Sequence, residues 1–476
     1  MSVMSVGSQS VARVEQSKEL LVAVSVAAVS ASVAALFVSQ PSLFVAGLLV
    51  SLTLAALLRF DFFVYALVLL LPWCPLVDLN LPVRDIFLVL RFVLFVGVWI
   101  RLRRSNKSIS EWLFGNKRKK GIVLFAGIAI ASVLLSGAPA NIPSYRALAL
   151  LVSYLAAFFA MNGWLEERNQ LVRVLKLLLI STIGVALFGF YQAIVGSYTD
   201  FYFRLYPKHD EALEPWVGRI TSFLVHFNSL AGYLNLVIPV SMACAVLAKD
   251  RALKFLGLAC AFVAVVALFL TQSRGGLLAL VGVLIIAVWL LVPSLITRIM
   301  LLCGSTLACI LLLPRLFNHF ERLQGVDDVT QVTRLLTWQA AATLFFDHPF
   351  LGVGYGNFRF LSSDLVPGAV PGTLDAHNLY LQLLAETGVV GFLTFAVLLG
   401  AFFVLSLKSM REQDALSRIV AFSVCGAIAA TLIHGMVDYL FNVSSQFGTL
   451  FWLVLGLGSC ATIGASSKMM SQVASR

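Results

Sequence analysis

Charged residues are scarce in this chain: they make up 12% of its 476 residues, whereas hydrophobic residues make up 60%. Water-soluble domains carry roughly 25% charged residues, so this balance excludes a water-soluble core of this size. It indicates instead many helices that cross a lipid bilayer. Spans packed side by side form one bundle, and we therefore treat the membrane part as a single domain.

Cysteine and histidine are also few. The seven cysteines form no CxxC pair, and all but Cys74 lie in apolar runs, where thiols act as small packing groups. Four of the six histidines, His209, His226, His319 and His348, lack the mutual spacing of metal ligands. We therefore predict no structural zinc, no essential disulfide, no metal site and no cofactor.

Acidic residues are outnumbered, since 34 Lys and Arg stand against 23 Asp and Glu, for a formal charge of +11. The basic residues fall mainly in short loops between apolar runs rather than on one soluble face. This pattern argues against a nucleic-acid partner and is typical of a topology signal.

Apolar runs of bilayer length predict an all-α polytopic membrane protein with 12–14 transmembrane helices. We interpret the first run as a retained helix rather than a signal peptide, because it is long and another span follows almost at once. The runs lie near 20–38, 42–58, 62–78, 86–100, 121–136, 147–163, 177–195, 227–248, 255–271, 276–292, 299–313, 388–407, 419–437 and 445–464.

Loop charge predicts the orientation. Eight basic residues in the loop 101–120 stand against Glu111 alone, which predicts that this loop is cytoplasmic. Counting onward puts the loops around Arg168, Lys249 and Lys408 on the same side, with both termini. The far side then carries 196–226, Thr271–Gly276, 314–387 and Asp438–Ser445. We divide the chain into 1–313 (first part of the bundle), 314–387 (a loop on the far side, with short helices) and 388–476 (last helices and cytoplasmic tail).

The stretch 314–387 is mixed in character. Apolar residues at helical spacing from Gln331 to Phe346 predict an amphipathic helix on the membrane surface, or a packing helix without chemistry, and Pro349 ends it. A GxGxG run from Gly352 predicts a tight turn better than a nucleotide loop, because no strand pattern precedes it. The run Asp375–Asn378 is typical of an N-terminal cap and places His377 in the first turn of a helix leading to the next span.

Two arginines lie at the predicted outer membrane edge, although basic residues usually concentrate on the cytoplasmic side. Arg219 precedes a span and Arg274 lies in a short hairpin, so an anionic partner is expected. A guanidinium suits phosphate oxygens because its planar fork donates two hydrogen bonds. The alternative is that each arginine reaches lipid headgroups. With Arg334 on the same side, we favour ligand binding.

Further ionisable residues lie at the same edge. His434 and Asp438 are one helical turn apart and can both face the bundle interior, where such groups are costly and usually functional. A mutual hydrogen bond that fixes helix packing is the alternative. His377 has an intrinsic pKa suited to general acid or base chemistry, although it could be a solvated loop histidine.

Four blocks carry a family likeness: RITSFLVHFNSLAGYLNL (219–236), TQSRGG (271–276), TRLLTWQAAATLFFDHPFLGVGYGNF (333–358) and DAHNLYLQLLAETGVVGFLTF (375–395). In order and spacing they resemble the bacterial O-antigen ligase and O-antigen polymerase family. The resemblance implies a helix bundle with a periplasmic loop folded over a cavity, and metal-independent glycan transfer from an undecaprenyl-diphosphate carrier. It implies that Arg219 and Arg274 bind the diphosphate and that His377 is the key histidine, with Arg334 and Asp438 as weaker matches. His226-Phe227 departs from the family, whose members often place a proline there.

The resulting hypothesis is an inverting glycosyl transfer at the periplasmic face of the bacterial inner membrane. The partners are an undecaprenyl-diphosphate-linked glycan donor, lipid A core as acceptor for a ligase, and membrane lipids, without nucleic acid. Catalytic roles fall to His377, Arg274 and Arg219, and substrate-binding roles to Arg334, Asp438 and His434. The ordinary length of the outer loop favours a ligase. The alternatives are an O-antigen or exopolysaccharide polymerase of the same family with a glycan acceptor, a transporter or flippase of lipid-linked or anionic substrates, and a membrane scaffold.

Overall fold

The structure, a computed structural model, describes residues 60–72, 86–104, 108–136, 142–195, 219–224, 226–301, 303–304, 327–372, 374–443 and 445–460. Across these ranges the regular secondary structure is helical and no strand occurs, which confirms the predicted all-α class. The chain divides into two compact units, Met1–Leu67 with Val77–Arg84, and Val68–Leu76 with Asp85–Arg476. All six candidate site residues belong to the second unit.

Each predicted apolar run that falls within the described ranges overlaps a helix. Several are longer than predicted, because polar residues extend them beyond the hydrophobic stretch. The described helices are α1 Phe60–Leu70, α2 Ile86–Arg104, α3 Ile109–Phe114, α4 Lys117–Leu135, α5 Ile142–Trp164, α6 Arg168–Val195, α7 Phe227–Leu247, α8 Arg251–Leu270, α9 Arg274–Leu291, α10 Asp327–Asp347, α11 Phe358–Leu365, α12 Leu379–Ser409, α13 Ala415–His434, α14 Leu440–Val443 and α15 Ser445–Cys460.

Seven helices in the described ranges are long and apolar enough to cross a membrane, namely α5 from Ser144 on, α6, α7, α8, α9, α12 and α13. α1 and α15 from Gln446 are shorter apolar helices. The predicted spans 20–38 and 42–58 lie outside the described residues, as does most of 299–313. The polytopic class is therefore confirmed, while the total of 12–14 spans stays a prediction.

Helix α7 is the centre of the second unit, and it packs closely against α8, α9 and α13. Small residues allow the close approach: a Cβ on Gly257 would lie 2.6 Å from the backbone nitrogen of Ala245, and one on Gly426 would lie 2.3 Å from Pro239 Cβ. Asn235 Nδ2 donates to the carbonyl of Gly276 at 2.9 Å, which fixes α7 against the start of α9. The residues that precede α7 and α9 are thereby held next to each other.

The basic loops meet at one end of the bundle. Lys176 Nζ lies 2.8 Å from the Asp250 carboxylate, and Arg168 pairs with Asp414. Asp250 and Asp414 also cap α8 and α13, by accepting backbone N–H bonds from the first turn of each helix. The candidate site residues lie at the other end of the same helices. The loops that loop charge assigned to one side of the membrane are therefore found at one end of the bundle.

The outer segment folds onto the start of α12. α10 ends at Asp347, two residues before Pro349, as predicted. Gly352, Gly354 and Gly356 all have positive φ, of 70°, 99° and 82°, which confirms the tight turn. This turn is joined to α12 by N–H bonds from Val353 to the Ala385 carbonyl at 2.8 Å and from Gly354 to the Glu386 carbonyl at 3.0 Å.

Helix α10 has two apolar faces. One face, with Ala340, Ala341 and Leu344, forms a small core with residues of the glycine turn, α11 and α12. The other face leaves Leu335 and Phe346 exposed at 57% and 76%, as a helix in contact with lipid would. The predicted packing face is therefore present, whereas contact of the other face with the membrane surface stays a prediction.

Candidate functional site

An imidazole and a carboxylate form a pair at the end of the bundle opposite the basic loops. His377 Nδ1 lies 3.3 Å from Asp438 Oδ1. The Asp438 side chain is 5% exposed and that of His377 is 34% exposed, so the histidine is the member of the pair that a substrate can reach. Because an ionised carboxylate only accepts hydrogen bonds, Nδ1 carries the proton and Nε2 is the basic nitrogen.

Asp438 is ionised. Burial raises the pKa of this carboxyl group, but the hydrogen bond and charge of His377, together with the nearby imidazoles of His434 and His226, outweigh burial. The pKa of Asp438 therefore lies well below its ordinary value. An ionised Asp438 orients the His377 ring and can stabilise positive charge on it.

Local geometry fixes the pair. His377 has a φ of 47°, in the left-handed region that residues other than glycine rarely occupy. The next residue, Asn378, caps α12 by accepting N–H bonds from Tyr380 and Leu381. The prediction that His377 lies in the first turn of this helix was therefore wrong, because Asn378 rather than Asp375 is the cap and His377 precedes it.

Asp375 has a different partner: its carboxylate is bound by the guanidinium of Arg359, with Arg359 Nε donating at 2.7 Å. Two further bonds join the His377 segment to the turn before Asp438. Leu379 N–H donates to the Gly435 carbonyl at 2.7 Å, and Asn378 Nδ2 donates to the Met436 carbonyl at 3.0 Å. The left-handed histidine is thus held between two ordered segments, as strained residues at functional sites usually are.

His434 lies beneath this pair. Its side chain is 2% exposed, and neither ring nitrogen has a hydrogen-bond partner among the described residues. The Asp438 N–H donates to the His434 carbonyl at 3.1 Å, so the two residues are one turn apart and both buried, as predicted. The alternative of a mutual side-chain hydrogen bond is not what the structure contains.

Arg274 is the first residue of α9, in a hairpin that packs on His434. Ser273 caps α9 by accepting from Gly276 N–H at 3.2 Å, and its hydroxyl donates to Asn228 Oδ1 at 2.6 Å. A Cβ on Gly275 would lie 2.8 Å from His434 Cδ2, so the backbone beside Arg274 touches the imidazole directly. The hairpin predicted at Thr271–Gly276 is confirmed.

Arg219 lies beside that hairpin. The N–H of Ile220 donates to the Leu270 carbonyl at 3.2 Å, which pairs the Arg219 segment with the end of α8. The Arg219 guanidinium carbon lies 4.3 Å from the centre of the Phe227 ring, a cation–π contact at the start of α7. Arg219 and Arg274 are therefore carried by two adjoining backbone segments.

Gln192 on α6 supports the Arg219 segment. Its Oε1 accepts from the N–H groups of Thr221 at 3.3 Å and Ser222 at 2.8 Å, and Ser222 has a φ of 50°. Sequence reasoning missed Gln192, because it lies in a predicted span far along the chain from the residues it holds. Its polar side chain in an apolar run is the signal that could have identified it.

Charges of the predicted residues converge on one further imidazole, that of His226. Burial lowers the pKa of His226 to about 4, with Asp438 raising it and His377, Arg219 and Arg334 lowering it. The charge of Arg334 acts on His434 as well. The charges of Arg219, Arg334, His377 and Asp438 thus all act on His226, whereas His434 is linked to this group through Asp438 and Arg334, and Arg274 is linked to it through the contact of Gly275 with His434.

This arrangement defines a class of protein: a polytopic all-α membrane protein whose cationic side chains and His–Asp pair gather at one end of the bundle. Residues 259–396 match the family model described as O-antigen ligase. The matched range includes Arg274, Arg334 and His377, and the resemblance drawn from the sequence is confirmed. No curated protein matches the chain. This match supports lipid-linked glycan transfer in general.

Proposed function

We propose that this chain is an inverting, metal-independent glycosyltransferase that moves a glycan from an undecaprenyl-diphosphate carrier to an acceptor hydroxyl at the periplasmic face of the bacterial inner membrane. The observation that carries the proposal is the gathering of Arg219, Arg334 and the His377–Asp438 pair around His226. A diphosphate leaving group needs cations and an acceptor hydroxyl needs a base, and this end of the bundle supplies both.

The proposed step is a single displacement. His377 Nε2 accepts the proton of the acceptor hydroxyl, whose oxygen bonds to the anomeric carbon of the donor glycan. The bond from that carbon to the diphosphate oxygen breaks, and undecaprenyl diphosphate leaves with the electron pair. Arg219 and Arg274 stabilise the negative charge that the diphosphate gains, and attack from the opposite face inverts the anomeric centre.

The remaining predicted residues have supporting roles in this proposal. Arg334 lies on α10, which packs against α12, and its guanidinium contributes positive charge around the imidazoles of His226 and His434. His434 presents a buried imidazole between the Arg274 hairpin and Asp438. We assign both to substrate binding. The grouping of basic loops at the other end supports a periplasmic site under the positive-inside rule.

We further propose that the acceptor is lipid A core, as in an O-antigen ligase, since the outer segment is of ordinary length. Surface glycans of a deletion strain, separated on a gel, test this. Loss of capped lipid A core is the expected result. Glycans of a single repeat would indicate a polymerase of the same family instead.

Reconstitution tests the transfer itself. In vesicles that contain the purified protein, lipid-linked glycan and acceptor, we expect a covalent glycan–acceptor product and stoichiometric release of undecaprenyl diphosphate. EDTA should leave the rate unchanged. A glycan that crosses the vesicle membrane still joined to its carrier would contradict transfer and identify a transporter, and a rate that EDTA abolishes would contradict metal independence.

Gln192 provides a prediction with a matched control on the same helix. Gln192→Ala leaves two buried N–H groups without an acceptor, at a cost of ~1–3 kcal/mol each, and lets the Arg219 segment shift. We expect transfer to slow by roughly tenfold or more. Gln170 makes the same kind of contact at the other end of α6, where its Oε1 accepts from Glu166 and Glu167 N–H, both at 2.9 Å.

Gln170→Ala should lower the melting temperature less than Gln192→Ala does, because Glu166 and Glu167 are exposed and water can bind their N–H groups, and transfer per folded molecule should stay normal. Thermal unfolding followed by tryptophan fluorescence, together with the vesicle assay, separates the two effects. Equal loss of transfer in both variants would show that Gln192 acts only on stability.

A further inference from the structure

His226 is the residue that the sequence left without a role, and it lies where four charged or ionisable site residues meet. It is the N-terminal cap of α7, with extended backbone angles of φ −122° and ψ 139°. Its Nδ1 accepts from the Asn228 N–H at 3.1 Å, in the position where a Ser, Asp or Asn oxygen usually caps a helix. An imidazole in this role brings a second nitrogen that a short oxygen cap does not have.

The capping bond fixes the tautomer of His226. Because Nδ1 accepts a hydrogen bond, the proton of the neutral ring lies on Nε2. The ring is neutral near pH 7, since burial first, and then the charges of His377, Arg219 and Arg334, lower the pKa of His226 to about 4 against the opposing effect of Asp438. At working pH, His226 therefore carries an Nε2–H that can donate and no positive charge.

Neutrality has a consequence for the catalytic pair. A protonated His226 would be a second cation next to Asp438 and would compete with His377 for its carboxylate. A neutral His226 leaves Asp438 to His377 and still offers one donor. The site thus contains cationic side chains and, in His226, an uncharged hydrogen-bond donor.

The position of His226 relative to Arg219 indicates what it binds. The His226 ring stacks on Phe227, with ring centres 4.3 Å apart and planes 28° apart. The Arg219 guanidinium lies over the same Phe227 ring, with its carbon 4.3 Å from the ring centre. One aromatic side chain therefore contacts both the imidazole and the guanidinium, and the charge of Arg219 acts on the His226 ring.

We propose that His226 is a further substrate-binding residue, whose Nε2–H donates to an oxygen of the lipid-linked diphosphate beside Arg219. The proposal rests on the proposed function, in which Arg219 binds that diphosphate. As the sugar–phosphate bond breaks, negative charge on the diphosphate oxygens grows and the hydrogen bond from a fixed donor strengthens. His226 thus assists departure of the carrier without adding charge to the site.

The test separates the two nitrogens of His226. Asn is among the strongest capping residues, so His226→Asn keeps an acceptor for Asn228 N–H and removes the donor that faces the diphosphate. We expect its melting temperature to match that of the native protein. We expect its affinity for undecaprenyl diphosphate, measured with the purified protein in phosphatidylglycerol nanodiscs, to fall by roughly tenfold or more, as for loss of a hydrogen bond to a charged group.

His226→Ala, which loses cap and donor, should show the same loss of affinity and also a lower melting temperature. Native affinity in His226→Asn would overturn the proposal and leave His226 as a cap alone. The proposal would also be overturned if the native protein lost its affinity in nanodiscs that contain no phosphatidylglycerol. The phosphate bound at this site would then be that of a lipid headgroup. The proposed function fails in a different way, when the native protein neither binds undecaprenyl diphosphate nor forms product.

Discussion

Replacement of His377 by alanine is expected to lower glycan transfer by roughly 10²–10⁴-fold, the usual contribution of a positioned general base. The variant loses the only imidazole whose Nδ1 is held by the buried Asp438 carboxylate in the described ranges, at 3.3 Å, and with it the acceptor for the proton of the attacking hydroxyl. Turnover in vesicles measures the loss. Binding of undecaprenyl diphosphate should change little, because His377 acts on the acceptor.

A second outer-segment histidine serves as the control. His348 lies in the turn after α10, where its N–H donates to the Leu344 carbonyl and its carbonyl accepts from the Gly352 N–H. The residue is exposed, and its side chain has no part in the proposed site. His348→Ala should transfer glycan at the native rate. Equal rates for His377→Ala and His348→Ala would remove the general base from the proposed mechanism.

Asp438→Asn tests the other half of the pair. The hydrogen bond and charge of His377 hold the pKa of Asp438 below its ordinary value despite burial, so Asp438 is an ionised carboxylate that accepts from His377 Nδ1. An amide at this position is uncharged and does not stabilise positive charge on the imidazole, so the maximal rate of transfer in vesicles should fall sharply. A purely structural Asp438 would instead give a lower melting temperature with a normal rate per folded molecule.

The sequence predicted those features that depend on neighbouring residues. Apolar length predicted the spans, Pro349 the end of α10, and the glycine spacing the turn with φ of 70° to 99° at Gly352 and Gly354. The ends of spans were less well placed: α6 begins at Arg168 rather than near 177, because polar helical residues leave no trace in hydropathy. Local patterns thus specify elements better than their boundaries.

The site depended on contacts that are distant along the chain, and these the sequence could not provide. Both Asp375 and Asn378 are good caps, and only the pairing of Asp375 with Arg359 leaves the role to Asn378 and puts His377 outside the helix. Likewise, no local pattern assigns Gln192 to the Arg219 turn or places the His226 ring beside it. The sequence identified candidate residues from their charge at the membrane edge, whereas their contacts with one another could be seen only in the folded structure.

Arg274→Ala is the second large expected effect. The guanidinium at the first position of α9 is proposed to bind the diphosphate and stabilise its growing charge, so its loss should reduce kcat/KM by roughly 10²–10³-fold. Arg274→Lys should recover only part of this, because an ammonium cannot donate to two phosphate oxygens in the fixed geometry of a guanidinium. Rates with purified lipid-linked glycan measure both variants.

The control for Arg274 lies beyond the other end of the same helix. Arg298 donates from Nε to the Val292 carbonyl at 2.6 Å, and its guanidinium carbon lies 5.2 Å from the Trp289 ring centre. Arg298→Ala removes an equal charge and a cation–π contact far from the site, and it should transfer glycan normally. A similar loss in both variants would mean that net charge, not a diphosphate contact, explains the effect of Arg274.

A double-mutant cycle decides whether Arg219 and Arg274 bind the same diphosphate. If both arginines hold one leaving group, removing the first already misplaces it, and Arg219→Ala with Arg274→Ala should lose much less than the product of the two single losses. The adjoining backbone segments, joined by the bond from Ile220 N–H to the Leu270 carbonyl at 3.2 Å, make such coupling the expected result. Fully multiplicative losses would place the two arginines on separate groups, and the single-diphosphate mechanism would then be wrong.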